Sequence, residues 1–299
     1  MTPAEVIVME QEHGLPYSKG VMAQSLTATG VTPPHAFELA RTIEARLEAR
    51  GLPQIDREEL YDIVEEVLGE ADGDDARGRF SDWRALERLD RPLIVMLGGT
   101  TGVGKSTLAT MLASRMGINR MIATDVIRQV LRAFFSHEFM PAVHYSAYDA
   151  GKAVDQGPGG DTDLVGFLSQ ARSVGTGVQA IVQRAARERT PMIVEGVHLI
   201  PGMIEPELRN RIVLIEAVLT VEDEELHRGH FSMRGPLRPA ERYLGRFEQI
   251  RKLQSYLSGK GAEAGVAVID NEHLDAALSD VMGLVLKAAG RASQGGETA

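Results

Sequence analysis

The chain has 299 residues, 43% of them hydrophobic, a formal net charge of −10 and no cysteine. This length accommodates one large α/β domain plus a small one, and the hydrophobic share excludes overall disorder. The acidic balance argues against a general nucleic-acid binder, and the lack of cysteine excludes disulfides, cysteine-ligated zinc and thiol nucleophiles.

The amino terminus, MTPAEVIVMEQEHG, shows no basic segment followed by a long apolar one. No stretch approaches the ~18 apolar residues of a membrane span, so a cytoplasmic protein with no membrane partner is expected. Residues 6–68 read as a small, mainly helical unit opened by a strand candidate at 6–9. Ser18 is placed to cap a helix ending near Ala28. Thr32 followed by Pro33 and Pro34 opens the next helix. Its buried stripe is Ala36, Leu39, Ala40, Ile43 and Leu47, and Gly51 ends it. Asp56 and Glu59 resemble a capping box, and the helix after them buries Leu60, Ile63, Val64 and Val67. The stretch GEADGDDARGR, 69–79, is glycine-rich, acidic and without apolar periodicity, which predicts a linker. A short helix at 83–89 leads into a second domain. The expected division is 1–75, 76–290 and a disordered tail, 291–299.

From Leu93 onward, short apolar runs alternate with helical stretches: LIVML (93–97), MIA (121–123), MIVEG (192–196), IVLIEAVL (212–219) and VAVID (266–270). That alternation predicts an α/β domain with a mostly parallel sheet flanked by helices. The first run flows into GGTTGVGKSTLATML. There Gly99, Gly104, Lys105 and Ser106 satisfy G-x-x-x-x-G-K-[ST] between a strand and an amphipathic helix. Glycines let the amides of Gly99, Thr100, Thr101, Gly102, Val103, Gly104, Lys105, Ser106 and Thr107 turn inward around phosphates. The helix N-terminus adds positive dipole. Lys105 neutralises the β/γ oxygens and Ser106 supplies an oxygen for Mg2+. The motif therefore implies a nucleoside triphosphate with Mg2+, and leaves the phosphoryl acceptor open.

Three further features cluster by position. Glu195 ends an apolar strand, where a buried charge needs a partner. Metal-bound water or Lys105 would serve, and Glu195 joins Ser106 as a candidate metal ligand. His198 follows as a structural or substrate-side residue. In IATDVIRQVLR, 122–132, a helix at ~100° per residue puts Asp125, Arg128 and Arg132 on one face and Ile127, Val130, Leu131 and Phe134 on the other. Alone, the charged face is either a surface ion pair or a substrate site. Beside a phosphate cradle, Asp125 is placed to orient a hydroxyl or take its proton, and the arginines to hold an anion. Finally, LHRGHFSMRGPLRPAERYLGRFEQIRKL, 226–253, concentrates arginines in an acidic protein. Arg234, Arg238, Arg242 and Arg246 form a candidate lid, with Arg242 and Arg246 one helical turn apart and Phe247, Ile250, Leu253 and Leu257 buried. The segment 136–154 carries His137, His144, Tyr145, Tyr148 and Lys152, and is expected to contribute to the acceptor pocket.

GGTTGVGKSTLA, TDVIRQVLR, VEGVHLIPG and RYLGRFEQIRKLQSYL together resemble the 2-phosphoglycerate kinase family. VIVMEQEHGLPYSKGVMAQSLTATGV with ELARTIEARLEARG is similar to the ATP-cone module of that family and of ribonucleotide reductases. The resemblance implies a P-loop kinase fold with a small N-terminal ATP-cone-like domain. It also implies ATP-dependent phosphorylation of 2-phosphoglycerate at its 3-hydroxyl. The VEGVH segment is similar to phosphoribulokinase and uridine kinase too, so a related acceptor is an alternative. A nucleotide-sensing regulatory protein is another. The expected partner is a small phosphorylated or carboxylated alcohol, and a homo-oligomer is left open.

Overall fold

A computed structural model describes residues 6–10, 12–88, 90–154, 160–233 and 240–293. The chain falls into two compact units. One comprises the residues up to 89 with 115–117 and those from 282 on; the other comprises 90–114 and 118–281.

The first unit contains β1 (Ile7–Glu10), β2 (His13–Pro16), α1 (Lys19–Ala28), α2 (Pro33–Arg50), β3 (Gln54–Asp56), α3 (Arg57–Asp72) and α4 (Asp74–Glu87). Its sheet has the order β2-β1-β3, with β1 antiparallel to β2 and parallel to β3. Local chemistry sets the helix ends as expected. Ser18 accepts from the Val21 amide to cap α1, and Gly51 closes α2 in the left-handed region at φ 64°. The predicted stripes of α2 and α3 are all buried, with Ile43 and Val64 fully so.

The expected linker at 69–79 is instead the end of α3, a break at Gly73, and the start of α4. Ala76, Phe80 and Trp83 of α4 belong to the first unit's core, where Phe80 meets the rings of Tyr61 and Trp83 at 5.5 and 5.3 Å. The unit therefore runs past the boundary expected at 75. Acidic and glycine residues mask α4 in the sequence because only three apolar side chains, one turn apart, carry its packing.

The second unit holds β4 (Leu93–Gly98), α5 (Lys105–Met116), β5 (Met121–Ala123) and α6 (Thr124–Phe134), then two 3-10 turns (Pro141–His144 and Ala147–Ala153) and α7 (Thr162–Glu188). It continues with β6 (Met192–Glu195), α8 (Pro206–Arg209), β7 (Val213–Thr220), α9 (Glu224–Ser232), α10 (Ala240–Leu244), α11 (Phe247–Glu263), β8 (Ala267–Asp270) and the start of α12 (Leu274–Ser293). Its five strands are all parallel in the order β5-β6-β4-β7-β8. The expected disordered tail lies outside the described residues from 294 on, and α12 runs to Ser293.

Every residue of β4 and β6 is buried, as a central parallel strand covered on both faces requires. One cluster packs Ile94, Met96 and Val194 against Ile127 of α6 and Val174, Val178 and Val182 of α7. Another joins Val218 of β7 to Phe231, Phe247, Ile250, Leu253 and Leu257. Each such side chain stabilises the fold by about 1.5–3 kcal/mol on burial. The crossover point after β4 leaves a crevice at the carboxyl ends of β4, β5 and β6.

Among the described residues, no helix is long and apolar enough to cross a membrane. Trp83 is the single tryptophan and sits in the first unit's core, so its fluorescence follows that unit. Phe80→Ala is expected to lower the stability read by Trp83 fluorescence in urea by about 3–5 kcal/mol. An unchanged midpoint would show that α4 is not part of that core.

Candidate active site

The phosphate cradle follows β4 directly. Gly102 and Gly104 have φ of 95° and 81°, and a side chain at Gly104 would collide with the Asn271 amide. The loop is braced from behind. Asn271 Nδ2 donates to the Val103 carbonyl at 2.8 Å, His227 Nε2 lies 2.9 Å from the Thr101 carbonyl, and His230 Nδ1 lies 2.8 Å from the Gly102 carbonyl. Burial pushes the His227 imidazole down to about 4, against the pull of its bond to Thr101, so it is neutral and donates through Nε2. Sequence reasoning passed over these three residues. Their signal is polar side chains within α9 and directly after β8.

Lys105 is buried and donates to the Thr100 carbonyl at 2.6 Å. Ser106 Oγ donates to Glu195 Oε1 at 2.9 Å. Strand register explains this meeting: Glu195 is opposite Leu97 of β4 on one side and Ala123 of β5 on the other. A buried carboxylate and a hydroxyl, within one hydrogen bond of each other at the end of a phosphate loop, form a hard oxygen donor pair. Two protein ligands suit Mg2+, which keeps waters and takes the rest of its shell from phosphates. Among the described residues no cluster of three acidic, histidine or cysteine side chains offers a closed cage.

A cavity of about 740 Å3 opens from the cradle. Lys105, Ser106 and Glu195 line one end. Asp125, Arg128, Gln129 and Arg132 of α6 line one wall, and His144, Tyr145, Ser146 and Tyr148 face them with Arg242 and Tyr243 of α10. The sequence-predicted residues thus converge, but with changed roles on α6. Arg128 is 7% exposed, whereas Val130 and Phe134, on the face opposite the charges, are 50% and 81% exposed. Ile127 packs over Gly177 of α7, and this rolls Arg128 inward beside it. The guanidinium tolerates burial because it is paired and hydrogen-bonded. Nε donates to Asp125 Oδ1 at 2.8 Å, and a terminal nitrogen donates to the carbonyls of Val143 and Tyr145 at 2.9 and 3.0 Å.

Asp125 stands at the cavity mouth with 65% of its side chain exposed. Packing around it raises its carboxyl, but the hydrogen bond and charge of Arg128 outweigh this and hold it below the usual carboxylate range. Arg132 is exposed on the same wall and carries no ion pair or hydrogen bond among the described residues. Arg242 donates to Ser146 Oγ at 3.1 Å across the cavity. Arg246 does not line the cavity: it immediately precedes α11 and pairs with Asp149 at 3.1 Å, so it does not share a helix with Arg242. Arg234 and Arg238 lie outside the described residues. Lys152 pairs with Asp149 at 2.7 Å, and His137 packs on Tyr145 behind the wall.

His198 is buried behind Thr124, with Nδ1 2.8 Å from Thr124 Oγ1 and Nε2 2.9 Å from Gln170 Oε1. Burial pushes its imidazole down to about 3, so it stays neutral at working pH. Gly196 precedes it at φ 151°, and any side chain there would strike Thr124.

No family model matches the chain. Its sequence is 38% identical over 282 residues to the 2-phosphoglycerate kinase of Methanopyrus kandleri, covering 93% of this chain and 86% of that protein. It is 38% identical over 262 residues to the 2-phosphoglycerate kinase of Methanothermobacter thermautotrophicus, covering 86% and 85%. It is 34% identical over 278 residues to that of Pyrococcus furiosus, covering 93% and 92%.

The Asp125–Arg128 pair makes a pH prediction. A depressed carboxyl adds stability above its ordinary pKa, and that stability is lost as pH falls through the lower folded value. In Arg128→Gln the packing that raises Asp125 remains while the cation is gone. The Asp125 carboxyl, followed by carbon NMR, should therefore titrate at higher pH than in the native protein. An unchanged midpoint would contradict the assigned cause.

Proposed function

The chain belongs to the 2-phosphoglycerate kinase family, and on that premise we propose that it transfers the γ-phosphoryl group of ATP to the 3-hydroxyl of 2-phosphoglycerate, giving 2,3-bisphosphoglycerate. It is an ATP-dependent phosphotransferase. The observation that carries this acceptor is the cavity itself: a single exposed carboxylate, Asp125, with cationic side chains at the cradle end and on both walls. An acceptor with a carboxylate and a phosphate beside its hydroxyl needs cations on more than one side.

In this mechanism the loop amides and Lys105 hold the β/γ-phosphates. Ser106 and Glu195 would hold Mg2+, which would supply neutralising charge to the phosphate oxygens. Asp125 accepts the hydrogen bond of the acceptor hydroxyl and takes its proton as the new O–P bond forms and the bond to the β-phosphate oxygen breaks. Arg132 and Arg242 bind the acceptor's anionic groups from opposite walls. Arg128 is committed to Asp125 and to two carbonyls, so it sets the geometry of the base. Among the described residues of the arginine-rich segment read as a lid, Arg242 faces the cavity. The first unit is assigned the nucleotide-sensing role that its resemblance to ATP cones implies.

ADP release should be stimulated by 2-phosphoglycerate and not by glycerate, ribulose 5-phosphate or uridine. Stimulation by one of the others instead would replace the acceptor, and no stimulation by any would favour a nucleotide sensor. Lys105→Ala should lower turnover by about 10²–10³-fold, as the loss of a transition-state charge stabiliser does. Arg132→Ala and Arg242→Ala should each raise the acceptor KM by roughly 10–10²-fold and leave the ATP KM near its native value. Equal effects on both substrates would remove these arginines from the acceptor subsite.

A further inference from the structure

We infer that Gln170 and His198 are positioning residues for the acceptor side of the site, acting through Thr124 and through the main chain of 142–145. The inference rests on the kinase reading above and assigns two side chains that do not line the cavity themselves.

Gln170 lies in the first third of α7 and is fully buried, as is Thr124 at the first position of α6. The Gln170 amide reaches in two directions. Nε2 donates to the carbonyls of Ala142 and Tyr145 at 2.5 and 3.0 Å, and Oε1 faces His198 Nε2 at 2.9 Å. Because Oε1 can only accept, His198 carries its proton on Nε2. His198 Nδ1 is then an acceptor, and Thr124 donates to it at 2.8 Å. Thr124 immediately precedes Asp125.

The same Tyr145 carbonyl also accepts from Arg128, which holds Asp125. Two buried donors from different helices therefore converge on one carbonyl of the acceptor wall. The result is a hydrogen-bonded circuit linking α6, α7, the turn after β6 and the first 3-10 turn. Apolar side chains would fill this space at less cost in desolvation. A circuit of directional bonds adds what apolar packing does not: a fixed distance between Asp125 on one wall and 144–146 on the other. The amide of Gln170 sets that distance, and the imidazole of His198 transmits it to the start of α6.

The test uses the full chain with Gln170→Met, which keeps the shape of the side chain and removes its amide, and with Thr124→Val and Thr124→Ser. Gln170→Met should lower kcat/KM for 2-phosphoglycerate on the order of 10–10²-fold while the ATP KM holds. Thr124→Val should do the same, and Thr124→Ser, which restores the hydroxyl, should recover most of the loss. Amide hydrogen exchange in Gln170→Met should quicken at 124–128 and 142–148 and stay native at 99–107. A merely structural role predicts faster exchange throughout the unit and parallel losses for both substrates, and either that pattern or native exchange at 142–148 would overturn the assignment. If the native protein fails to turn over 2-phosphoglycerate, the acceptor is wrong, and the exchange pattern still decides the positioning role.

Discussion

One hydrogen bond, from Ser106 to Glu195, ties together parts of the chain 89 positions apart. It exists because β6 lies between β4 and β5, so that Glu195 falls level with the last residues of both neighbours. A carboxylate that is 7% exposed must be paired, and the phosphate loop supplies the partner. Sheet order, cradle and charge are thereby one constraint. Moving β6 by a single residue would turn Glu195 to the other face of the sheet, away from Ser106.

The acceptor side follows from the same edge of the sheet. β5 ends beside β6, and α6 starts at once, which delivers Asp125 to the rim of the cradle. From there the site depends on buried polar groups more than on apolar packing. Arg128 is buried and held by three hydrogen bonds, and Arg132 is exposed and unengaged among the described residues. The two arginines look alike in the sequence and do different work: one shapes the base, the other is available to an anion.

Much of the second unit is legible in the sequence because a parallel strand buried on both faces is a short unbroken apolar run. All five strands lie within a residue of those runs. The cradle is legible because its chemistry needs glycines and lysine at fixed spacing. What stays hidden has physical reasons. β2 is exposed throughout and contains Gly14 and Pro16, so it shows no alternation. α4 packs through few residues among acids and glycines. The shared face of Asp125, Arg128 and Arg132 is legible from helical spacing, but the burial of Arg128 is not, because the carbonyls of Val143 and Tyr145 that receive its guanidinium are supplied by a neighbouring turn. Gln170 is hidden for a similar reason: it is one of three glutamines on a mixed helix, and its partners are main-chain atoms and an imidazole far off in sequence.

The central claim is that Asp125 meets the acceptor hydroxyl while cations on both walls hold the acceptor's charges. A crystal structure of the protein with a non-hydrolysable ATP analogue, Mg2+ and 2-phosphoglycerate tests it most directly. The account predicts the 3-hydroxyl oxygen within about 2.6–3.2 Å of the Asp125 carboxylate and in line with the γ-phosphorus, with Arg132 and Arg242 on the carboxylate and phosphate. An acceptor bound elsewhere in the cavity, or with its hydroxyl turned away from Asp125, would contradict it.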